Sequence, residues 1–425
     1  MPFTLDPHQV QLAVSILVIV VMLHVILGGC AYSIMLERKL SAWMQDRVGP
    51  NRVGPRGLFQ PLADGLKFLL KEDYNPRGVD KWLFLLAPAF IMTPAMIGFI
   101  IVPFAGSMDI TGLITMIGIA EPGAQYVVRL IGADINIGVI YLVAVASLGV
   151  YGVVLGGWAS NNKFSFLGGL RASAQMVSYE IPMGLSLLAV ILMAGTLDPF
   201  MIIQQQQEGA WNLLQMPVAA ILFYTCMLAE SNRAPFDLAE AESELIGGYH
   251  TEYSSMKFAI FFLGEYFHMI TGAAFFTMLF LGGWSLNPVA GLFGWDFTNA
   301  GQVWWLGFLQ VGIVIFKIFL MVAFGMAVRW TLPRFRFDQL MKLAWEGMIP
   351  ASLLVVLVTS VWIYLGLQDW MFLASLGTIL IIFIVHPFMP RQADPNRRIK
   401  MIGSRFSPLQ SSDIVSSEGI ESSSN

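Results

Sequence analysis

The chain has 425 residues, of which 56% are hydrophobic and only 12% charged, with a mean hydropathy of +0.68. Soluble domains carry roughly 25% charged residues, so a soluble globular fold is excluded. The net charge of −4 says little as a sum, because the charges are segregated along the chain and their placement carries the information.

Nine apolar stretches qualify, or nearly do, as membrane spans: 10–34, 82–104, 136–159, 176–196, 215–231, 257–284, 303–330, 347–367 and 370–389. A helix needs ~20 apolar residues to cross a hydrocarbon core of about 30 Å. Lipid offers no partner to a free backbone N–H or C=O, so such runs must be helical. The expected fold is an all-α membrane protein: a polytopic bundle of about nine transmembrane helices with amphipathic surface helices on the cytoplasmic side. Before the first run there is Asp6 and no Lys or Arg, and the run is too long for a signal-peptide core, so it reads as a retained span.

Glu37 and Arg38 end that span. The loop that follows, 35–81, contains a direct repeat, RVGPN at 47–51 and RVGPR at 52–56, whose Gly-Pro pairs enforce turns. It lacks the Gly-Lys-Ser/Thr ending of a phosphate-binding loop. From Leu58 to Asp73 the pattern turns helical, with Leu58, Leu62, Leu66 and Leu69 on one stripe and Asp64, Lys67 and Lys71 on another. Such a helix lies along the membrane surface. Asp64 either pairs with Lys67 or faces a cavity.

Glu180 opens the fourth span, and the fifth leads into the most acidic segment of the chain. Glu230, Asp237, Glu240, Glu242, Glu244 and Glu252 fall within 23 residues, opposed internally by Arg233 alone. On a helix beginning near Asp237, Glu240 and Glu244 share a face at i,i+4 and repel each other. Withdrawn from water as well, both carboxyls are pushed up toward neutrality, where they accept and release protons. A solvated loop is the ordinary reading of a charge run, but these acids alternate with Phe236, Leu238, Leu245, Ile246 and Tyr249, which favours partial burial.

Glu265 lies inside the sixth span and Lys317 inside the seventh. Intramembrane ionisable groups are costly, and each marks a proton path or a paired structural charge. Residues 334–345 form a second basic, aromatic surface segment, read as a headgroup anchor through Arg334, Arg336 and Lys342. After Pro390 the chain becomes basic and then Ser-rich, the composition of a disordered cytoplasmic tail over 391–425. Residues 1–390 are the transmembrane domain, with functional loops at 35–81, 232–257 and 329–346.

Placing alternate loops on one side collects every Lys and Arg except Arg129 and Lys317. That side is cytoplasmic by the positive-inside rule, with the N-terminus outside and the C-terminus inside. Cys30 and Cys226 both lie in spans, so no disulfide framework or cysteine-held cluster is indicated. The five histidines, His8, His24, His250, His268 and His386, show no metal spacing. Catalytic residues and metal ligands of a hydrolase are not found.

Six motifs carry a specific resemblance: LERK at 36–39, RVGPNRVGP at 47–55, FQPLADGLK at 59–67, AESNRAPFDLAEAESEL at 229–245, YHTEYSSMKF at 249–258 and LPRFRFDQL at 332–340. Over residues 10–367 the chain resembles the H subunit of bacterial respiratory complex I, the counterpart of mitochondrial NADH dehydrogenase subunit 1. The resemblance implies a subunit of the proton-translocating NADH-quinone oxidoreductase of the bacterial inner membrane that is not catalytic alone. It also implies quinone as substrate, with NADH, FMN and the iron–sulfur clusters held by partner subunits and no metal or covalent cofactor here. Implied partners are the hydrophilic quinone-site subunits, the small membrane subunits leading to the antiporter-like ones, and membrane lipids, with no nucleic acid.

By the same resemblance, Glu37, Arg38, Asp64 and Arg233 belong to the quinone chamber, and Glu180, Glu230, Glu240, Glu242, Glu244, Glu252 and Glu265 to the proton path. Two rival readings are the equivalent subunit of an energy-converting hydrogenase and a stand-alone secondary transporter. The full Arg-Val-Gly-Pro loop and the DLAEAESE run speak against the first. The lack of internal repeats beyond the loop motif speaks against the second. The ninth span and the tail depart from the family's usual eight helices, and no role is read from them.

Overall fold

The computed structural model describes residues 6–118, 123–238, 245–290 and 304–385. Glu240, Glu242, Glu244, His386 and the tail 391–425 lie outside them. Two compact units divide the chain, Met1–Ile379 and Leu380–Asn425. In the second, the described residues finish the last helix.

The regular structure among the described residues is almost entirely helical. Its elements are α1 (Pro7–Met44), α2 (Gln60–Leu70), α3 (Lys81–Gly98), a two-stranded antiparallel hairpin of β1 (Ser107–Asp109) and β2 (Val127–Arg129) with α4 (Thr111–Ile117) between the strands, α5 (Gly138–Ala159) and α6 (Lys163–Ala194). There follow α7 (Pro199–Glu208), α8 (Asn212–Gln215), α9 (Pro217–Glu230), α10 (Ser255–Phe280) and α11 (Trp304–Thr331). The last are α12 (Phe337–Lys342), a π-helical turn (Leu343–Met348), α13 (Ile349–Tyr364) and α14 (Met371–Val385). Seven of the nine expected spans are helices long and apolar enough to cross a membrane, while the fifth and the ninth are shorter apolar helices.

Polar residues set the helix ends. Asp80, Asn162 and Asp198 accept from the backbone N–H of Leu83, Phe164 and Phe200 at the starts of α3, α6 and α7. Gly195 ends α6 in the left-handed region at φ 66°. The bundle is built around α3, α5, α6, α9 and α10, with α1 and α11 against one side of α10 and α13 against α6. The α3–α5 seam is a close approach. A Cβ on Gly152 would stand 2.4 Å from Ile91 Cγ1 and 2.7 Å from the Ile91 backbone nitrogen. Gly152→Val is therefore expected to separate these helices at a cost of about 3 kcal/mol or more, read as loss of the subunit from isolated membranes, whereas Gly184→Ala, with open space at its Cβ, keeps wild-type levels.

Two boundaries differ from the sequence expectation in ways that move functional residues. The helix that carries the fourth span starts well before 176: α6 begins at Lys163, so Glu180 sits in mid-helix rather than opening it. Lys163, Ser165, Arg171, Ser173 and Gln175 lower the hydropathy of its first turns without breaking the helix, because α6 continues past the apolar zone. Likewise Glu37 and Arg38 do not end the first helix, since α1 runs on to Met44.

Candidate functional site

Four separate stretches of chain place their charges together. Glu37 of α1, 7% exposed, stands at the centre. Its Oε1 accepts from Arg329 of α11. Its Oε2 accepts from the Tyr266 hydroxyl at 2.6 Å and from Arg233 Nη1 at 3.4 Å. Arg233 Nη2 is 3.7 Å from Glu265 Oε2, and its guanidinium lies 4.0 Å over the Tyr266 ring. Glu265 Oε1 accepts from the Tyr249 hydroxyl at 3.2 Å. The resulting row runs Arg329, Glu37, Arg233, Glu265, Tyr249. Alternating sign at such distances offsets the desolvation that single buried charges would suffer.

Arg233 is aimed by a tight turn after α9. Asn232 takes φ 50° and the Ala234–Pro235 bond is cis. Gln175 of α6 holds the turn, its Nε2 2.8 Å from Ala229 O, 3.2 Å from Asn232 Oδ1 and 2.7 Å from Phe236 O. Buried Asp237 pairs with Arg334 at 2.8 Å, and Phe335 N donates to Pro235 O at 3.1 Å. The segment 334–345, expected to be a headgroup anchor, thus supports this turn.

Beside the cluster runs an apolar groove of about 240 Å³ between α1, α2 and α10, lined among others by Ile34, Pro61, Gly65, Phe68, Ile260 and Phe262. Asp64 sits in its lining. Its partner is Arg38 at 2.8 Å, with Gln60 Nε2 donating at 3.1 Å. Of the two readings open from sequence, Asp64 faces a cavity, and it is paired across to α1 rather than to Lys67. Ser255 fastens α2 to the start of α10, its Oγ 2.9 Å from both Phe68 O and Lys71 O. Phe262 belongs to both places: it lines the groove, and Arg233 lies 5.8 Å over its ring.

The remaining acids lie deeper in the bundle or along its rim. Glu180 is hydrogen-bonded to Ser147 of α5. Glu230 ends α9 and lines a small apolar cavity of about 30 Å³ with Leu142, Met183, Met227, Gly272 and Leu279. Glu252 accepts from Asn162 Nδ2 at 2.6 Å. Beside it, burial pushes the Tyr253 phenol above its ordinary range, so it stays neutral. The structure therefore unites Glu37, Arg233 and Glu265, joins Arg38 to Asp64, and sets Glu180, Glu230 and Glu252 apart from that cluster.

The sequence offers Tyr249 only as an apolar neighbour of the acids and the start of a motif, and it does not single out Tyr266, Arg329 or Gln175. Tyr266 follows Glu265 directly, and a phenol beside an intramembrane acid is the available signal. Arg329 counts in the sequence only among the basic residues of its loop, because nothing local distinguishes it from its neighbours.

Apolar helices long enough to cross a membrane, with a buried row of ion pairs among them and an apolar groove beside it, define a polytopic membrane protein with ionisable groups inside its bundle. Residues 16–360 match the NADH dehydrogenase family. A Leptospira biflexa protein named as the H subunit of NADH-quinone oxidoreductase is 46% identical over 350 residues, 82% of this chain and 94% of that protein. A Koribacter versatilis protein named as H subunit 2 of NADH-quinone oxidoreductase is 46% identical over 362 residues, 83% of this chain and 98% of its own. A Geobacter sulfurreducens protein named as H subunit 1 of NADH-quinone oxidoreductase is 44% identical over 354 residues, 83% and 95% of the two chains. The chain belongs to the family of the NADH-quinone oxidoreductase H subunit, a membrane subunit of the enzyme complex I. Helix α14 lies beyond the matched residues.

Proposed function

We propose that this chain forms part of the quinone chamber of its complex and begins the acidic path that couples quinone reduction to proton translocation. The observation that carries this reading is Phe262, the wall shared by the apolar groove and the buried charge row. The groove offers an apolar bed for an isoprenoid tail, and Arg38 with Asp64 offers polar partners to a head group at its rim. NADH, FMN and iron–sulfur clusters sit on partner subunits, and electrons arrive from there.

Reduction of a quinone to a quinol takes two electrons and two protons. The charge change falls beside the Glu37, Arg233 and Glu265 row, and rearrangement of those pairs passes to the turn that Gln175 holds. Glu180, Glu230, Glu252 and Glu265, with Glu240, Glu242 and Glu244, then exchange protons toward the antiporter-like partners. In this reading the chain sits in the bacterial inner membrane with its N-terminus outside and its C-terminus in the cytoplasm.

The groove supplies the test. A Cβ on Gly65 meets nothing within 4 Å, so Gly65→Trp grows into groove space without forcing the backbone. In the assembled complex it is expected to raise KM for a long-tailed quinone by about tenfold, equivalent to about 1.4 kcal/mol. A short-tailed analogue is affected less, and NADH oxidation by an artificial acceptor is unchanged. Unaltered kinetics with both quinones would remove the groove from the reading.

A further inference from the structure

Lys317 is a buried cation outside the cluster described above. It lies midway along α11, 7% exposed. Its three ammonium donors meet three backbone carbonyls, Leu281 O at 2.6 Å, Gly283 O at 2.8 Å and Ser285 O at 2.5 Å, and its Nζ is 4.4 Å over the Trp211 ring. These carbonyls belong to the irregular chain that follows α10. A helix that ends inside a bundle leaves orphan carbonyls, and irregular backbone at membrane depth survives only where protein satisfies it.

Two further side chains complete that task. Gln206, 1% exposed, donates to Met278 O at 3.0 Å and accepts from Gly282 N at 3.0 Å. Asn212, 2% exposed, donates to Leu279 O at 2.8 Å. Met278 and Leu279 also line the small cavity that Glu230 lines. The polar knot around Lys317 therefore shares Met278 and Leu279 with the apolar cavity that Glu230 lines.

We infer that Lys317, set in place by Gln206 and Asn212, is a cationic seal that keeps protons carried on Glu230 and Glu180 from leaving through the far end of this subunit. A positive charge held beside a proton path disfavours the passage of protons and cations, and its field is strongest where water is scarce. The seal sends protons sideways to neighbouring subunits instead of straight across. This inference rests on the proton-path reading of Glu180 and Glu230.

The test uses the whole complex in sealed inverted membrane vesicles. Lys317→Met removes the charge at nearly constant length, and Gln206→Glu places a neutralising carboxylate at Gly282 N, between the Leu281 and Gly283 carbonyls that hold Lys317. Each is expected to speed collapse of an imposed pH gradient by about tenfold, the low end of what focused charge does to local ion concentration. The protons moved per electron fall, while NADH oxidation by an artificial acceptor is unchanged. Lys317→Arg keeps the vesicles tight, and adding Glu230→Gln to Lys317→Met slows the leak again.

Assembled Lys317→Met or Gln206→Glu complexes with wild-type leak and wild-type coupling overturn the seal. So does a leak that persists in the double variant, or loss of both single variants from membranes in which Lys317→Arg assembles, which marks the knot as structural only. Full pumping by Glu230→Gln alone overturns the proton path itself. The two failures are thereby separated.

Discussion

Glu37→Gln is expected to lower quinone-coupled NADH oxidation by about 100-fold, the size of effect that an ångström of misplacement produces at a reacting centre. Glu37 accepts from Arg329, Arg233 and Tyr266 at once. An amide in its place presents one oxygen and an NH₂ group to two guanidinium ions. Breaking a buried pair from one side costs about 3–5 kcal/mol because the remaining charge stays buried. The turn bearing Arg233 then shifts, and with it the Phe262 wall. The measurement is NADH:quinone against NADH:artificial-acceptor activity in membranes, with the subunit quantified. Tyr266→Phe, which removes one hydrogen bond and no charge, is expected to cost less than tenfold, at about 1 kcal/mol. Wild-type quinone turnover in assembled Glu37→Gln would reduce the row to a strut.

Glu230→Gln is expected to lower proton translocation and quinone-coupled turnover together, by about 100-fold, the lower range for loss of a positioned proton carrier. The amide keeps the shape of the side chain in a cavity walled by Leu142, Met183 and Met227, so folding is not the cause of any loss. Glu180→Gln is expected to behave alike, and Ser147→Ala more mildly, since it removes only the hydroxyl bonded to Glu180. The check is acidification of inverted vesicles driven by NADH with quinone, beside the turnover itself. Full acidification by Glu230→Gln complexes would exclude the carboxylate from the path.

Much of this is legible from single residues. Glu37, Arg233 and Glu265 stand out wherever charge is scarce, and hydropathy locates the helices on which they lie. Their convergence is not legible, because Glu37 and Arg233 are 196 positions apart and nothing in either neighbourhood encodes the other. Hydropathy also measures the length of the lipid-touching run, not of the helix. That is why it sets Glu180 at the mouth of α6, although the helix has already run from Lys163. The anchor-like segment 334–345 has the composition of a surface helix, yet its Arg334 reaches buried Asp237. A pattern of basic and aromatic residues suits both roles equally. For Asp64, spacing offers Lys67 as partner, whereas the fold supplies Arg38 from α1.

The length of α1 has a consequence for the tail of the proposed substrate. Its apolar run over 10–34 rises about 37 Å at 1.5 Å per residue, more than the roughly 30 Å of hydrocarbon. The helix leans or overhangs, and either way its last turns, with Glu37 and Arg38, stand at or above the level where lipid ends. A quinone drawn up to them pulls its tail out of the solvent it prefers. Each methylene left to water costs about 0.8 kcal/mol. In the proposed reading, Ile34, Phe68, Ile260 and Phe262 act as replacement oil: the groove would lift the partition boundary to the height of the chemistry, so that climbing out of the membrane would cease to be an ascent in free energy.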